Sequence, residues 1–187
     1  MTNILVRYAE IGLKGKNRAV FENQLVRNIK LALGSDLIKI IKEHKQILVS
    51  AEKEAIEKLK NVFGIAWLAP VTIVKNNQEA IAKAALKLVV PRKSFSVRAH
   101  HELEVSLGDL IRTKKKLQVD LSHPGQTIYV SQKADRALVF NQKIAGPGGL
   151  PVGTSGKVLC LLSGGFDSVA AAYQLAKRGA QVDFLHF

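Results

Sequence analysis

The chain has 187 residues, with 28 Lys and Arg against 15 Asp and Glu, so its formal net charge is +13. Its 47% hydrophobic and 23% charged residues are typical of a folded protein and exclude a disordered tail or a collagen-like fibre. No apolar run approaches the roughly 18 residues of a membrane-spanning helix. The N-terminus lacks a signal-peptide pattern, and the lone Cys160 can form no internal disulfide. We therefore expect a reducing, cytoplasmic location.

The positive charge is the first indication of function. A surplus of this size on a small chain attracts a polyanion, and nucleic acid is the usual one. The charge alone favours nucleic acid over a basic surface kept for solubility. The Cys and His residues show no zinc-site spacing, so we expect no metal centre built from them.

Residues 1–75 predict a ferredoxin-like α+β domain. An alternating apolar strand from Asn3 to Tyr8 leads through a Gly-Lys loop into a helix with one apolar face. Asn17 is the expected N-cap of that helix, and Gly34 is its expected end. Two strands in a hairpin pattern, a second helix and a last strand complete the βαββαβ order of this fold.

Residues 76–156 predict a second domain of α/β type. The expected elements are a helix, a strand, a short helix and a hairpin, at residues 79–89, 94–100, 105–111 and 127–143. The strand would place His100 and His101 on opposite faces, so that they could not chelate one metal. Residues 146–156 are rich in Gly and Pro and have no hydrophobic period, which predicts a linker at a domain boundary.

Residues 157–187 predict one βαβ unit. The apolar run from Lys157 to Leu162 is typical of a parallel strand buried on both faces. A glycine turn, a helix and a second strand follow it. One such unit is only a part of a doubly wound sheet, whose strands must be covered on both sides.

The turn Ser163-Gly164-Gly165-Phe166-Asp167-Ser168 carries the clearest chemistry. It lies between a strand and a helix N-terminus, where free backbone N–H groups and the helix dipole attract phosphate. The paired glycines allow close backbone approach, and the two serines add hydroxyl groups. Asp167 suits a ligand of the Mg²⁺ that accompanies a nucleotide, or a polar anchor of the loop. The alternative is an ordinary glycine turn whose Asp or Ser caps the helix.

The pattern Ser-Gly-Gly-x-Asp-Ser resembles the PP-loop of ATP pyrophosphatases. The longer string from Gly146 to Ser168 resembles the tRNA 4-thiouridine synthetase family, also called tRNA sulfurtransferases and tied to thiamine biosynthesis. The segment 7–18 (Arg-Tyr-Ala-Glu-Ile-Gly-Leu-Lys-Gly-Lys-Asn-Arg) resembles the N-terminal signature of that family. Segments 95–99 and 119–121 resemble its RNA-binding THUMP domain, although the segment between Arg98 and Val119 is shorter than is usual in the family.

The resemblance implies three parts: an α+β ferredoxin-like domain (1–75), an α/β THUMP domain with its Gly/Pro linker (76–156), and the first βαβ of an α/β doubly wound PP-loop domain (157–187). It implies an ATP-dependent tRNA sulfurtransferase that adenylates a uridine in tRNA before a persulfide sulfur gives 4-thiouridine. It also implies a link to sulfur supply for the thiamine thiazole. The implied partners are tRNA and a cysteine desulfurase-type sulfur donor, and a homodimer is an open alternative to a monomer.

Asp167 is the predicted catalytic residue, on the interpretation that it binds the Mg²⁺ that accompanies ATP. The loop and the two strand ends are the predicted ATP site: Leu161, Leu162, Ser163, Gly164, Gly165, Phe166, Asp167, Ser168, His186 and Phe187. The predicted tRNA contacts are basic residues of the first two domains: Lys14, Lys16, Arg98, Arg112, Lys114, Lys115 and Lys116. Cys160 does not match the family's sulfur-carrying cysteine, and we expect it to be a core residue.

Two other functions stay open at this point. The chain could be a catalytically inactive tRNA-binding module, or a small-molecule adenylating enzyme of the same PP-loop type with an incidental basic surface. Because one βαβ unit forms only part of the wall around a nucleotide, we expect this 187-residue chain by itself to be an incomplete enzyme.

Overall fold

The structure, a computed structural model, describes residues 1–186. It divides into two compact units, one formed by Met1–Leu68 with the chain from Ile144 onward and the other by residues 69–143. The domain limits at residues 75 and 156 stay predictions, since the compact units follow a different division. Within the described residues, no helix combines the length and the apolar character needed to cross a membrane.

The first unit contains the predicted ferredoxin-like fold. Its elements up to residue 75 are β1 (Thr2–Arg7), α1 (Arg18–Leu33), β2 (Leu37–Glu43), β3 (Gln46–Ala51), α2 (Ala55–Leu59) and β4 (Trp67–Lys75), which begins in this unit. The strand order is β2-β3-β1-β4, and β1 pairs antiparallel with β3 so that Ile4 lies opposite Val49. The βαββαβ order is therefore confirmed.

The core of this fold is formed by one face of α1 packed on the sheet. Leu25, Ile29 and Leu33 recur every four residues and are at most 1% exposed, because that spacing keeps them on one side of a helix. The helix ends at Gly34, whose φ of 52° favours glycine. Asn17 occupies the predicted N-cap position, but its side chain makes no capping hydrogen bond. Its backbone is helical, and the chain enters α1 through two short 3-10 turns instead of the extended residue that a side-chain cap requires.

The second unit is a sheet with two helices on it. Its elements are the remainder of β4, α3 (Gln78–Leu88), β5 (Phe95–Arg98), α4 (His101–Lys115), β6 (Gln126–Gln132) and β7 (Arg136–Phe140). The strand order is β4-β7-β6-β5, with β5 and β6 parallel and the other pairs antiparallel. Ile81 of α3 and Ile111 of α4 are buried with Phe95 and Ile128 in one core, which fits the predicted α/β type.

The prediction of His100 and His101 on opposite faces of a strand is wrong. β5 ends at Arg98, His100 is the N-cap of α4, and His101 is its first residue. The helix starts earlier than the predicted residue 105 because a carboxylate oxygen of Glu104 accepts a hydrogen bond from the Ala99 N–H at 3.1 Å. Acidic residues in this first turn also suit the positive end of the helix dipole.

The chain from Ile144 onward contains the predicted βαβ unit. Its elements are β8 (Ile144–Ala145), which pairs with the start of β4, then β9 (Lys157–Leu162), α5 (Phe166–Lys177) and β10 (Gln181–His186). β9 and β10 are parallel and in register, with Leu162 opposite His186. The expectation that β9 is buried on both faces is wrong, because Leu159 and Leu161 are 63% and 54% exposed. Cys160, expected in the core, is half-buried. Its Sγ, 3.6 Å from the Ser168 carbonyl, faces α5, and no described residue buries the opposite face.

Candidate functional site

The turn between β9 and α5 has the geometry of a phosphate-binding loop. Gly165 is the N-cap of α5, with extended backbone at φ −93° and ψ 155°. The loop is closed by its own serines: the Gly165 N–H donates to Ser163 Oγ at 3.4 Å, and Ser168 Oγ donates to the Gly165 carbonyl at 3.1 Å. The first N–H groups of a helix have no partner within it, so those of α5 are available to an anion.

The two glycines of this turn are not required by the packing of the chain. A Cβ on Gly164 would meet nothing within 4 Å, and one on Gly165 would meet only Ser163 Oγ, at an ordinary 3.7 Å. Neither glycine has a positive φ. The structure therefore leaves open space beside both glycines at the N-terminus of α5.

The ends of β9 and β10 lie side by side next to this turn. His186 Nδ1 is 3.1 Å from the Leu162 carbonyl oxygen. Because a carbonyl oxygen only accepts, the ring donates through Nδ1–H, and the bond ties the two strand ends together. Leu162 lies on the α5 face of β9, whereas Leu161 lies on the exposed face. Phe187, also predicted for the ATP site, lies outside the described residues.

Asp167 is exposed in the first turn of α5. Within residues 1–186, His, Cys, Asp and Glu side chains form no group of three or more that could hold a metal ion. A cation at this turn would therefore be held by one carboxylate and by the oxygens of a phosphate. That set fits Mg²⁺, which is usually bound through one or two carboxylates together with substrate phosphates.

Residues 146–156, here called the bracket, connect β8 to β9 and are hydrogen-bonded along their length. On one side they join the ferredoxin-like fold: the Gly148 N–H donates to the Ile65 carbonyl and the Gly64 N–H donates to the Gly148 carbonyl, both at 2.8 Å. On the other side they join the end of α5, where the Leu150 N–H donates to the Lys177 carbonyl at 2.9 Å. The bracket has irregular backbone, as the sequence predicts, but it is not a free tether.

The predicted RNA-binding residues lie in both units. In the first unit, the Lys14 ammonium lies 4.9 Å from the centroid of the Phe21 ring, and Lys16 is exposed. In the second unit, Arg98 ends β5 and donates to the Leu121 carbonyl at 3.3 Å. The end of α4 brings together four predicted basic residues, all exposed: Arg112, Lys114, Lys115 and Lys116. Arg112 also pairs with Asp109 at 3.0 Å.

The charge surplus is shared by the two predicted N-terminal domains. Residues 1–75 carry 13 Lys and Arg against 7 Asp and Glu, and residues 76–156 carry 12 against 6. The distribution of charge therefore does not single out one domain as the RNA surface.

A polar cluster beside the Gly-Lys loop was not anticipated from the sequence. The Tyr8 hydroxyl donates to the buried Glu22 carboxylate, which Arg18 Nε and Lys42 Nζ approach to 3.3 and 3.8 Å. Burial and this hydrogen bond raise the pKa of Tyr8 to about 12. The available signal was a carboxylate on the apolar stripe of α1, one turn before Leu25. A second pair, Arg178 with Glu10 at 3.2 Å, spans 168 residues and had no sequence signal.

Comparison with protein families matches both ends of the chain. Residues 3–69 match the ThiI ferredoxin-like domain, and residues 153–187 match the thiamine biosynthesis protein (ThiI) family. The chain is also 39% identical to a probable tRNA sulfurtransferase of Caldanaerobacter subterraneus subsp. tengcongensis, over 98% of this chain and 53% of that protein. The chain thus spans about half the length of the curated relatives that it matches.

Two crystal structures resemble the whole chain. PH1313 from Pyrococcus horikoshii Ot3 is 30% identical, with a TM-score of 0.90 over 100% of this chain and 68% of that one. A 4-thiouridine synthetase, crystallised as an RNA complex with bound ATP, is 32% identical, with a TM-score of 0.85 over 100% of this chain and 53% of that one. With both ends of the chain matched to one family and its fold shared along its length, the chain belongs to the ThiI family.

Proposed function

We propose that this chain supplies the tRNA-docking and ATP-phosphate-binding parts of a tRNA sulfurtransferase, which is also linked to sulfur supply for the thiamine thiazole. The observation that carries the proposal is the turn from Ser163 to Ser168, whose glycines leave room for a ligand rather than for a neighbouring side chain. The names of the relatives and the ATP and RNA bound to a 32% identical structure support the same conclusion.

The reaction follows from the poor leaving ability of a uracil oxygen. The carbonyl oxygen of a uridine attacks the α-phosphorus of ATP and releases pyrophosphate. A persulfide sulfur then forms a bond to the ring carbon, and the bond from that carbon to the adenylated oxygen breaks with release of AMP. A second thiol then attacks the carrier's sulfur and forms a disulfide with it, so that the carrier's bond to the transferred sulfur breaks and this sulfur stays on the base as 4-thiouridine. A cysteine desulfurase-type donor would supply the persulfide sulfur.

The residues of this chain hold the phosphates in that scheme. The first N–H groups of α5 bind phosphate oxygens, and the helix dipole favours their negative charge. The Ser163 and Ser168 hydroxyls lie at the edges of the same turn. The ends of β9 and β10, held together by His186, border the nucleotide, as is usual for ligands at the carboxyl ends of parallel strands.

Asp167 is the proposed ligand of the Mg²⁺ that accompanies ATP. When bound, that ion would neutralise part of the charge on the phosphates. Asp167 is free to take this role because it is exposed beside the turn and engages in no hydrogen bond or ion pair among the described residues.

We assign tRNA contact to the predicted basic residues of both units. The end of α4 offers the densest group, where Lys114, Lys115 and Lys116 are exposed in succession. Phosphate contacts of this kind give affinity without reading sequence. Dimerisation stays a prediction.

A tRNA-binding module without chemistry is the second candidate. Among the described residues the turn is open to solvent, and Phe166 is 91% exposed. Small-ligand sites usually bury about 70–90% of the ligand, which this turn and two strand ends do not do. We therefore expect the 187-residue chain alone to bind ATP weakly and to form no 4-thiouridine.

The test measures pyrophosphate release and tRNA binding on the same proteins, expressed at their natural length. Asp167→Ala should abolish pyrophosphate release while the Kd for tRNA stays within about twofold. Gly164→Ala should lower the release without changing the unfolding transition, whereas Gly108→Ala in α4, which also has open space for a Cβ, should leave the release unchanged. Normal pyrophosphate release by Asp167→Ala refutes the role of that residue. Tight tRNA binding without any pyrophosphate release by the wild type favours the docking module.

A further inference from the structure

We propose that the bracket, residues 146–156, orients the phosphate-binding turn by fixing the far end of α5 to the ferredoxin-like fold. The inference rests on the proposed function, in which that turn binds the phosphates of ATP. It assigns the bracket a positioning role, although its residues lie at the opposite end of α5 from the turn.

The first argument is the set of bonds at the C-terminal end of α5. The last carbonyls of a helix have no partner within it. Here the Gly153, Thr154 and Ser155 N–H groups all lie within 2.8–3.0 Å of the Gly179 carbonyl. The Ser155 hydroxyl donates to the Arg178 carbonyl at 2.7 Å, and the Leu150 N–H donates to the Lys177 carbonyl. Three successive carbonyls at the helix end are therefore held by one short segment.

The second argument is the set of bonds to the ferredoxin-like fold. The paired bonds of Gly148 with Gly64 and Ile65 join the bracket to the chain before β4. The Asn28 side chain of α1 donates through Nδ2 to the Val152 carbonyl at 3.0 Å. α5 itself is tied to the same fold by the Arg178–Glu10 pair, so the connection does not depend on one contact.

The third argument is steric. A Cβ on Gly149, whose φ is +73°, would lie 2.1 Å from the Lys177 carbonyl oxygen, and one on Gly146 would lie 2.3 Å from that of Ile65. Real Cβ atoms do not approach backbone so closely, so each of these contacts admits only glycine. By contrast, a Cβ on Gly148, at φ +68°, would meet nothing within 4 Å. The close steric fit is therefore found at Gly146 and Gly149, where the bracket lies against a backbone carbonyl, and not at Gly148.

The consequence for the turn follows from the length of α5. Its 12 residues span about 18 Å, so a tilt of about 5° at the held end moves the turn by about 1.5 Å. A misplacement of about 1 Å can cost about 100-fold in rate. A loosened bracket should therefore impair the chemistry without removing any group that touches ATP.

The experiment compares Gly149→Ala with Gly148→Ala, since both place alanine at a positive φ and only the first adds a clash. Spin labels at exposed Val20 of α1 and Val169 of α5 report the distance between the two helices in the 187-residue chain, with Cys160→Ser removing the lone native thiol. Gly149→Ala should shift the distance distribution by about 2 Å or broaden it, and Gly148→Ala should leave it unchanged. A folded Gly149→Ala protein with the wild-type distribution overturns the proposal.

A second variant decides the matter if Gly149→Ala does not fold. Asn28→Ala combined with Glu10→Ala removes polar anchors of the bracket and of α5 and creates no clash. It should broaden the same distribution with no loss of helical content. An unchanged distribution in this double variant likewise overturns the proposal.

A kinetic measurement at natural length separates positioning from simple loss of structure. Gly149→Ala and the double variant at Asn28 and Glu10 should each lower kcat for tRNA-dependent pyrophosphate release by about tenfold or more. The KM for ATP and the Kd for tRNA should stay within about twofold of the wild-type values. If the KM for ATP and the Kd for tRNA rise by as large a factor as kcat falls, a positioning role is contradicted. If the wild type releases no pyrophosphate, the proposed function fails, whereas the distance measurement still judges the bracket.

Discussion

Replacing Glu22 by alanine should destabilise the first unit by about 2–3 kcal/mol. The Glu22 side chain is 6% exposed and accepts the hydrogen bond of the Tyr8 hydroxyl. A hydrogen bond to a charged group contributes about 1.5–3 kcal/mol, and its loss leaves the Tyr8 hydroxyl buried without its acceptor. The ion pairs of Glu22 with Arg18 and Lys42 add little, because those cations are 33% and 40% exposed and such pairs contribute about 0–1 kcal/mol each.

Urea unfolding followed by tryptophan fluorescence measures this loss of stability in the first unit, which contains both Glu22 and Trp67. Trp67 is the only tryptophan, and the Arg7 guanidinium lies 5.9 Å from its ring centroid. Glu22→Gln keeps an oxygen that can accept from Tyr8, so its loss should be smaller than that of Glu22→Ala. Glu57→Ala, which removes a 72% exposed carboxylate, should cost less than about 0.5 kcal/mol. A Glu22→Ala protein as stable as Glu57→Ala would refute the reasoning.

Three further predictions concern pH, helix capping and salt. The pKa of Tyr8 is raised from 10.0 to about 12 in the folded protein. Its contribution to the free energy of unfolding is therefore complete below pH 10, and about 2–3 kcal/mol is lost as the pH rises to 12. In urea titrations over this pH range Tyr8→Phe should lose less stability than the wild type, and an equal loss contradicts the shift. Asn77 Oδ1 accepts from the Ala80 N–H at 2.8 Å, so Asn77→Ala should cost about 1 kcal/mol in thermal unfolding, whereas Asn17→Ala, which removes no cap bond, should cost close to nothing. If Lys114, Lys115 and Lys116 contact tRNA phosphates, their joint replacement by alanine should lower the slope of log affinity against log salt by about 2–3, and an unchanged slope removes them from the contact surface.

The sequence predicted those elements whose hydrophobic period is unambiguous. The stripe of α1 and the strand–turn–helix order around Ser163 were readable because spacing and glycine position determine local backbone. The start of α4 was missed because it is polar, and a bond from the Ala99 N–H to Glu104, rather than apolar spacing, sets it. Periodicity shows only that β9 is apolar, not what covers it, whereas a single βαβ unit already indicates that one face of β9, on which Leu159 lies, lacks a covering layer.

The contacts of the candidate site were harder to predict than its residues. Gly and Pro in 146–156 indicate irregular backbone, but they do not indicate which other segments of the chain this backbone contacts. The clash that a Cβ on Gly149 would make with the Lys177 carbonyl can be recognised only in the folded structure. The Glu10–Arg178 pair joins residues from opposite ends of the chain and has no local pattern. Glu22 could have been suspected, because a carboxylate on an apolar stripe requires buried partners.

The central proposal is that the turn from Ser163 to Ser168 binds the phosphates of the ATP that activates tRNA for sulfur transfer. The most direct measurement is the 4-thiouridine content of tRNA, by mass spectrometry of its nucleosides, in cells that lack a tRNA sulfurtransferase and express this protein at its natural length. The account predicts 4-thiouridine with the wild-type turn and none with Asp167→Ala produced at the same level. Absence of 4-thiouridine with the wild type, or equal amounts with both proteins, would contradict it.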